Sequence, residues 1–299
     1  MISLHSHSGQ HCLHANGKLE DVVLRAIELG FHTYGLSEHV PRSRSQDLYP
    51  EEEGLAPSDL TTTFHNYVIE ARRLQTKYAS QIHLLVGCET EHIHSSSLDE
   101  LEALRASVPL DYVVASVHHV NGHPLDFDFT RYAAAEESAG GTEGLFLAYF
   151  HAQREILERV EQPAVVGHFD LVRLFRPDFP LSEEVWKAVR RNVDVIVAKG
   201  ALVEINSRAW KKGLKDAYPQ RDILEFMISK NVKFTLSDDS HGPTDVGMHY
   251  TKLFAYLSEM KINTVYTLAR DTEGRVTTQP IYNVLDHPFR GNLERAQEE

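Results

Sequence analysis

Only two cysteines, Cys12 and Cys88, occur among 299 residues. No disulfide framework can be built from them, and a reducing, cytoplasmic setting is the default expectation. Positive charge is scarce as well: 30 Lys and Arg stand against 43 Asp and Glu, a net charge of −13. Such a chain lacks the basic footprint that general binding to nucleic acid or a membrane surface requires, so neither partner is expected. No apolar run approaches the length of a membrane-spanning helix. The first residues, MISLHSHSGQHCLHANG, lack a basic start followed by an apolar stretch and do not read as a secretory signal. Internal repeats, low-complexity tracts and an interdomain linker are missing too. What remains is 42% hydrophobic and long enough for one large domain with a full core.

The abundant residue is histidine, with 18 copies. Imidazole is the commonest metal ligand among side chains. An excess of it can also be compositional drift, so position decides.

Short apolar runs recur between longer helical patterns. Strands are predicted at 2–5, 33–36, 82–86, 111–116, 164–166, 201–205 and 233–236, each rich in Val, Ile, Leu, Tyr or Phe, as buried parallel strands are. Helices are predicted at 19–29, 59–78, 97–106, 142–160, 182–199 and 219–230. Gly30 and Gly200 stop two of them, and Ser182 followed by two glutamates starts another. This α/β alternation means a parallel sheet with right-handed crossovers. Seven units favour a closed or nearly closed barrel over an open sheet. Residues 41–58 and 119–141 read as long loops, the chain is less patterned from about residue 270, and residues 290–299 are expected to fray.

Every predicted strand delivers a polar residue at its carboxyl end, where α/β barrels build their active sites. The first ends in His5-Ser6-His7, the second runs into Glu38-His39, and the third into Cys88-Glu89. The fourth gives His118-His119, the fifth His168-Phe169-Asp170, the sixth Glu204-Ile205-Asn206, and the seventh Asp238-Asp239-Ser240-His241. Alternation with period two puts His5 and His7 on one face, and Asp239 and His241 likewise. A lone His-x-His is weak, since His168 could be a satisfied core histidine and Glu89 a helix cap. Random surface histidines, however, would not select strand ends, and the joint pattern predicts a cluster of divalent metals. Imidazole and carboxylate suit Zn, Fe or Mn. His32, His65, His83, His151, His249 and His287 fall off the pattern, and His11, His92, His94, His119 and His123 read as bystanders near the site.

The residues resemble the polymerase-and-histidinol-phosphatase superfamily, and within it the monofunctional histidinol-phosphate phosphatases. The likeness runs from HSHSGQHCLHANG through SEH, VGCETEHI, SVHHVNGHPLDFD, GHFDLVRLF and EINSRAWKKG to SDDSHGPTDVG. It implies a distorted (β/α)7 TIM-like barrel, with residues 1–299 forming one such domain. It also implies a site of three divalent ions held by His5, His7, His14, His39, Glu89, His118, His168, Asp239 and His241. Many members carry aspartate at the position of His14. Glu89 fits a bridging carboxylate, and with Asp239 and His241 it would also serve the reaction. An acid at Asp238 where serine is common lets either aspartate be the ligand, and Asp239 keeps the Asp-x-His spacing.

The activity implied is hydrolysis of L-histidinol phosphate to L-histidinol and phosphate in histidine biosynthesis. Metals activate water and stabilise charge on phosphate oxygens in such reactions. Arg173, Arg208, Lys211 and Lys212 follow the fifth and sixth strands and could complete a phosphate cradle, although each could equally be a solvated surface base. Asp126 or Asp128 could pair with the substrate ammonium, or simply shape a turn. Two other readings are a phosphoesterase acting on another monoester or a nucleic-acid end, which the acidic charge disfavours, and a noncatalytic metal module, which would be expected to have lost ligands.

Overall fold

The structure, a computed structural model, describes residues 1–161 and 164–289; residues 290–299, expected to fray, lie outside the described residues. Seven parallel strands follow one another around the sheet in chain order. They are β1 (Ile2–Ser3), β2 (Thr33–Leu36), β3 (His83–Glu89), β4 (Tyr112–Ala115), β5 (Ala164–Val166), β6 (Leu202–Asn206) and β7 (Lys233–Ser237). The first and last strands meet through the Leu4 N–H, which donates to the Leu236 carbonyl at 3.2 Å. Beyond them Ser6–His7 pairs in parallel with Ser240–His241. The result is a nearly closed, distorted (β/α)7 barrel, as the alternation of units predicts.

The helices α1 (Leu19–Glu28), α2 (Pro57–Lys77), α3 (Ser97–Ser107), α4 (Phe129–Ser138), α5 (Thr142–Arg159), α6 (Glu183–Lys199), α7 (Arg208–Lys211), α8 (Arg221–Ser229) and α9 (Tyr250–Glu259) lie around it. Their ends follow local chemistry. The Ser182 hydroxyl accepts the Val185 N–H at 3.3 Å to start α6, and Gly200, at φ +69°, ends it in the left-handed conformation that glycine tolerates best.

Strand alternation sorts the core into two layers. Leu85, Tyr112, Val114, Val165 and Leu202 fill the barrel interior, whereas Leu84, Val86, Cys88, Val113 and Ala115 face the helices. On β3 the inward series therefore runs Leu85, Gly87, Glu89. A Cβ at Gly87 would come within 2.5 Å of the Tyr112 ring, so only glycine leaves room for that ring. Tyr112 in turn donates its hydroxyl hydrogen to the Leu4 carbonyl at 2.8 Å. The same alternation lifts Glu89 into the mouth at the carboxyl ends of the strands.

Helices α7 and α9 are not among the predicted elements, and three further segments differ from the sequence expectation. Residues 41–58 are not open loop: they hold two 3-10 turns, Ser45–Asp47 and Pro50–Glu52, and then enter α2. Residues 119–141 form a tight hairpin, His119–Val120 with His123–Pro124, followed by α4. The chain around residue 270 is an antiparallel hairpin, Thr264–Arg270 with Val276–Tyr282. Leu268 enters the barrel interior, and Arg270 pairs with Asp111 just before β4. This hairpin therefore closes the end of the barrel opposite the mouth. Among the described residues no helix is long and apolar enough to cross a membrane.

Candidate metal centre

Glu89 is buried at the mouth and is surrounded by imidazoles from four other chain segments. Its Oε2 lies 3.1 Å from His5 Nε2, 3.2 Å from His7 Nε2 and 3.2 Å from His39 Nδ1. Its Oε1 lies 3.2 Å from His118 Nε2 and 3.0 Å from His168 Nε2. The two oxygens thus serve two separate groups of histidines. His39 reaches this place because it bridges in parallel to Glu89, with the Val40 N–H donating to the Glu89 carbonyl at 2.9 Å.

Asp239 approaches from the last strand, its Oδ1 3.7 Å from both His5 Nε2 and His7 Nε2. It sits at φ +46°, a left-handed conformation that aspartate tolerates. Neighbouring Asp238 turns the other way, accepting from Ser3 at 2.8 Å and from the Gly247 N–H at 2.8 Å, so it holds backbone together rather than facing the mouth. The His241 ring lies 4.6 Å from that of His7 and 5.2 Å from that of His14. His14 is less enclosed, with Nδ1 3.1 Å from Glu51 Oε1. All nine sequence-predicted ligands therefore come together.

A second ring of carboxylates orients these histidines; the sequence reading places Glu38 and Glu204 at strand ends without assigning them this role and does not single out Glu91. Glu204 lies 3.1 Å from His5 Nδ1 and accepts the His168 backbone N–H at 2.6 Å. Glu38 lies 3.4 Å from His7 Nδ1. Glu91 lies 2.9 Å from His39 Nδ1 and 3.5 Å from His118 Nδ1. Signals for them existed. Glu89 and Glu91 share the period-two spacing of His5 and His7, and Glu38 adjoins His39.

The electrostatics show how crowded the cluster is. Burial pushes the Glu89 carboxyl up, but His5, His118 and His39 outweigh it and hold the group well below the usual range. Burial likewise opposes charge on His5, yet Glu89, Asp239 and Glu204 raise it well above normal. Burial and then His7 drive His39 down to about 4. Burial, His7 and Arg208 push His241 well below its ordinary value. Without metal, carboxylates thus raise some imidazoles while burial lowers others within one pocket. Although carboxylates stand close by, several buried imidazole nitrogens make no well-formed hydrogen bond: His5 Nε2, both nitrogens of His7 and both of His39. A buried polar atom normally has one. Unpartnered imidazole nitrogens converging on carboxylates are a donor set that fits divalent Zn, Fe or Mn.

The mouth opens into a cavity of about 270 Å³, lined by Glu89, His118, His168, Asp239 and His241 on the floor. Arg208, Lys212, Asp126, Tyr49, Glu51 and Phe127 form part of its walls. Arg208 Nη1 donates to the Asp239 carbonyl at 2.9 Å, and Lys212 Nζ donates to Asp126 at 3.0 Å. Two of the predicted phosphate bases are not brought here. Arg173, on the 3-10 turn Leu171–Arg173, is buried away from the cavity and donates to Asp222 at 2.7 Å. Lys211, one turn along α7 from Arg208, leaves the cavity to pair with Asp245 at 2.6 Å. Asp128 is likewise outside it, capping α4 by accepting the Arg131 N–H at 2.8 Å.

A probable histidinol-phosphatase of Schizosaccharomyces pombe is 46% identical over 92% of the chain and 92% of its own length. The histidinol-phosphatase of Saccharomyces cerevisiae is 32% identical over 98% of the chain and all of its own length. The fold superposes with a TM-score of 0.67 on Lactococcus lactis histidinol phosphate phosphatase, solved with zinc, L-histidinol and phosphate. That likeness covers 92% of this chain and 98% of the other at 19% identity. The PHP domain model matches residues 3–208, and with these histidine and carboxylate positions gathered at one barrel mouth, the chain belongs to the PHP domain family.

Proposed function

We infer that the chain is a histidinol-phosphatase, a metal-dependent phosphomonoesterase that converts L-histidinol phosphate to L-histidinol and phosphate. The observation that carries this is Glu89, whose two oxygens face separate histidine groups at the floor of a cavity sized for a small substrate. The full-length likeness to two fungal histidinol-phosphatases supports the substrate.

Three divalent ions, Zn, Fe or Mn, are proposed, held by His5, His7, His14, His39, Glu89, His118, His168, Asp239 and His241. When bound, such ions supply Lewis acidity and an activated water. The protein's own groups do the rest. Glu204, Glu38 and Glu91 stand at the far ring nitrogens of His5, His7 and His118 and orient those rings, as partners behind metal ligands do. Arg208, held by the Asp239 carbonyl and by Asp245 at 3.2 Å, presents a guanidinium at the cavity wall for phosphate oxygens. Lys212 adds a point charge and keeps Asp126 compensated; Asp126 is the group on this wall suited to the substrate ammonium. Residues 1–299 are proposed to act as one PHP-type barrel domain, in the cytoplasm, where free Cys12 and Cys88 stay reduced.

The test is steady-state release of phosphate from L-histidinol phosphate against a panel of sugar phosphates, amino-alcohol phosphates and a phosphodiester. Histidinol phosphate should have the highest kcat/KM. A diester preference, or no turnover of any member with metals supplied, would refute the reading.

A further inference from the structure

The first loop holds a donor that stands outside the histidine and carboxylate set. Cys12 lies two residues before His14, on a turn where its N–H donates to the Ser8 carbonyl at 2.9 Å. Its side chain is buried, and Sγ is 3.1 Å from His14 Nε2. Sγ, a His14 nitrogen and a His39 nitrogen all lie within 4.8 Å of one another, and the same sulfur makes a second such group with His7 and Glu38.

Buried cysteine is usually a small apolar filler. Cys88 is of that kind: strand alternation turns it away from Glu89 into the layer of Leu84, Val86 and the helices. The surroundings of Cys12 are different in kind. His7 is fully buried and neither nitrogen makes a well-formed hydrogen bond; its Nδ1 stands 3.4 Å from Glu38 Oε2, which, on a residue 2% exposed, has no well-formed hydrogen bond either. Both side chains are more than nine-tenths buried, and each offers an atom within 4.8 Å of the sulfur. A weak S–H donor satisfies at most one of these acceptors, whereas a cation shared among them satisfies all.

We propose that Cys12 Sγ is a thiolate donor to the ion gathered by His14 and His39, which makes that end of the cluster a mixed nitrogen–sulfur site. The inference rests on the metal-dependent reading of the mouth. A soft sulfur ligand favours a borderline-soft ion such as zinc over magnesium or manganese, so this end is selective where the all-nitrogen-and-oxygen remainder is permissive. On binding, the sulfur lone pair forms the bond to the ion, and the thiol proton leaves to solvent, one per chain.

Cobalt(II) reports this directly, because thiolate ligation adds a sulfur-to-metal charge-transfer band in the near ultraviolet to the visible ligand-field bands. The full chain, freed of metal and reloaded with cobalt, should show both. Cys12→Ser should lose the charge-transfer band and keep the visible bands, while Cys88→Ala should keep both. Visible bands without charge transfer in the unaltered chain, or a charge-transfer band that survives Cys12→Ser or vanishes in Cys88→Ala, would overturn the proposal while leaving the metal centre intact. No cobalt spectrum of any kind would overturn the metal reading as well. If Cys12→Ser does not fold, the unaltered and Cys88→Ala spectra still decide.

Discussion

At the scale of single residues, Glu89 is held in place from below and used from above. Leu85 and Gly87 fix which way it points, and five imidazole nitrogens lie within 3.2 Å of its two oxygens. Glu89→Gln keeps the shape, removes the charge and aims an NH2 group at one set of histidines. It should lower the bound metal by at least one ion per chain and cut kcat by more than the roughly 10–100-fold typical of residues that act from behind a ligand. His119 is the matched comparison. It is buried 3.6 Å from Glu91 and stacked on Tyr49, but it does not touch Glu89. His119→Asn should stay within that smaller range with its metal content intact. Elemental analysis beside steady-state kinetics checks both, and equal losses would mean Glu89 is not the bridge. This contrast also marks how much of the site is legible in sequence. Residues on strand ends, such as His5, His168 and Asp239, announce themselves by position. Arg173 and Lys211 occupy comparable positions, yet one 3-10 turn and one turn of helix send them to Asp222 and Asp245. Short-range backbone geometry after a strand cannot be read from the spacing of charges.

At the scale of elements, barrel strands and their long helices are read to within a few residues because buried parallel strands are continuously apolar and helices carry caps. Apart from α9, the elements that escape are those whose pattern is incomplete. Val276–Tyr282 is exposed or half-exposed along its length and contains Pro280, so it offers no apolar alternation. Tyr49, Glu51 and Phe127 reach the cavity only because residues 41–58 and 119–141 fold as they do. By contrast α9 was open to detection, since Tyr250, Leu253, Phe254 and Leu257 form a buried stripe at helical spacing. The closing hairpin makes a prediction of its own. Leu268 is its one residue fully buried inside the barrel, packed with Leu4, Leu85 and Leu202. Leu268→Ala should therefore cost about 2–5 kcal/mol of stability, the range for a leucine lost from a core that only partly collapses. The mouth lies at the other end of the strands, so KM should hardly change. A denaturation midpoint that stays put would show that the hairpin is an appendage and not a plug.

At the scale of the whole molecule, the chain folds a dense set of buried histidines and carboxylates around its mouth, and its stability should depend on what balances them. Consider the metal-free protein first. The carboxylates raise His5 and His118 well above their ordinary values against the pull of burial, and Glu38 and Glu89 raise His7 to about 9. A histidine raised on folding contributes stability that is fully present below its unfolded value and is lost as pH rises through the folded value. The lowered histidines, His39 and His241, are neutral in both states above about pH 6.5 and add no slope there. Metal-free protein should therefore lose stability from about pH 6.5 toward pH 9, by at most about 1.4 kcal/mol per pH unit for each proton released. With metal the sign reverses, because ligands must shed their protons to bind and the affinity grows as they do. A ligand that binds only the folded state stabilises it by an amount that rises with affinity at fixed free concentration. The gap in Tm between zinc-loaded and chelated protein should thus widen steadily between pH 6.5 and 9 at buffered zinc. Calorimetry at three pH values is enough to see it. A gap that narrows with pH would mean that the histidine cluster is balanced by its own protons, with the metal a minor guest in it.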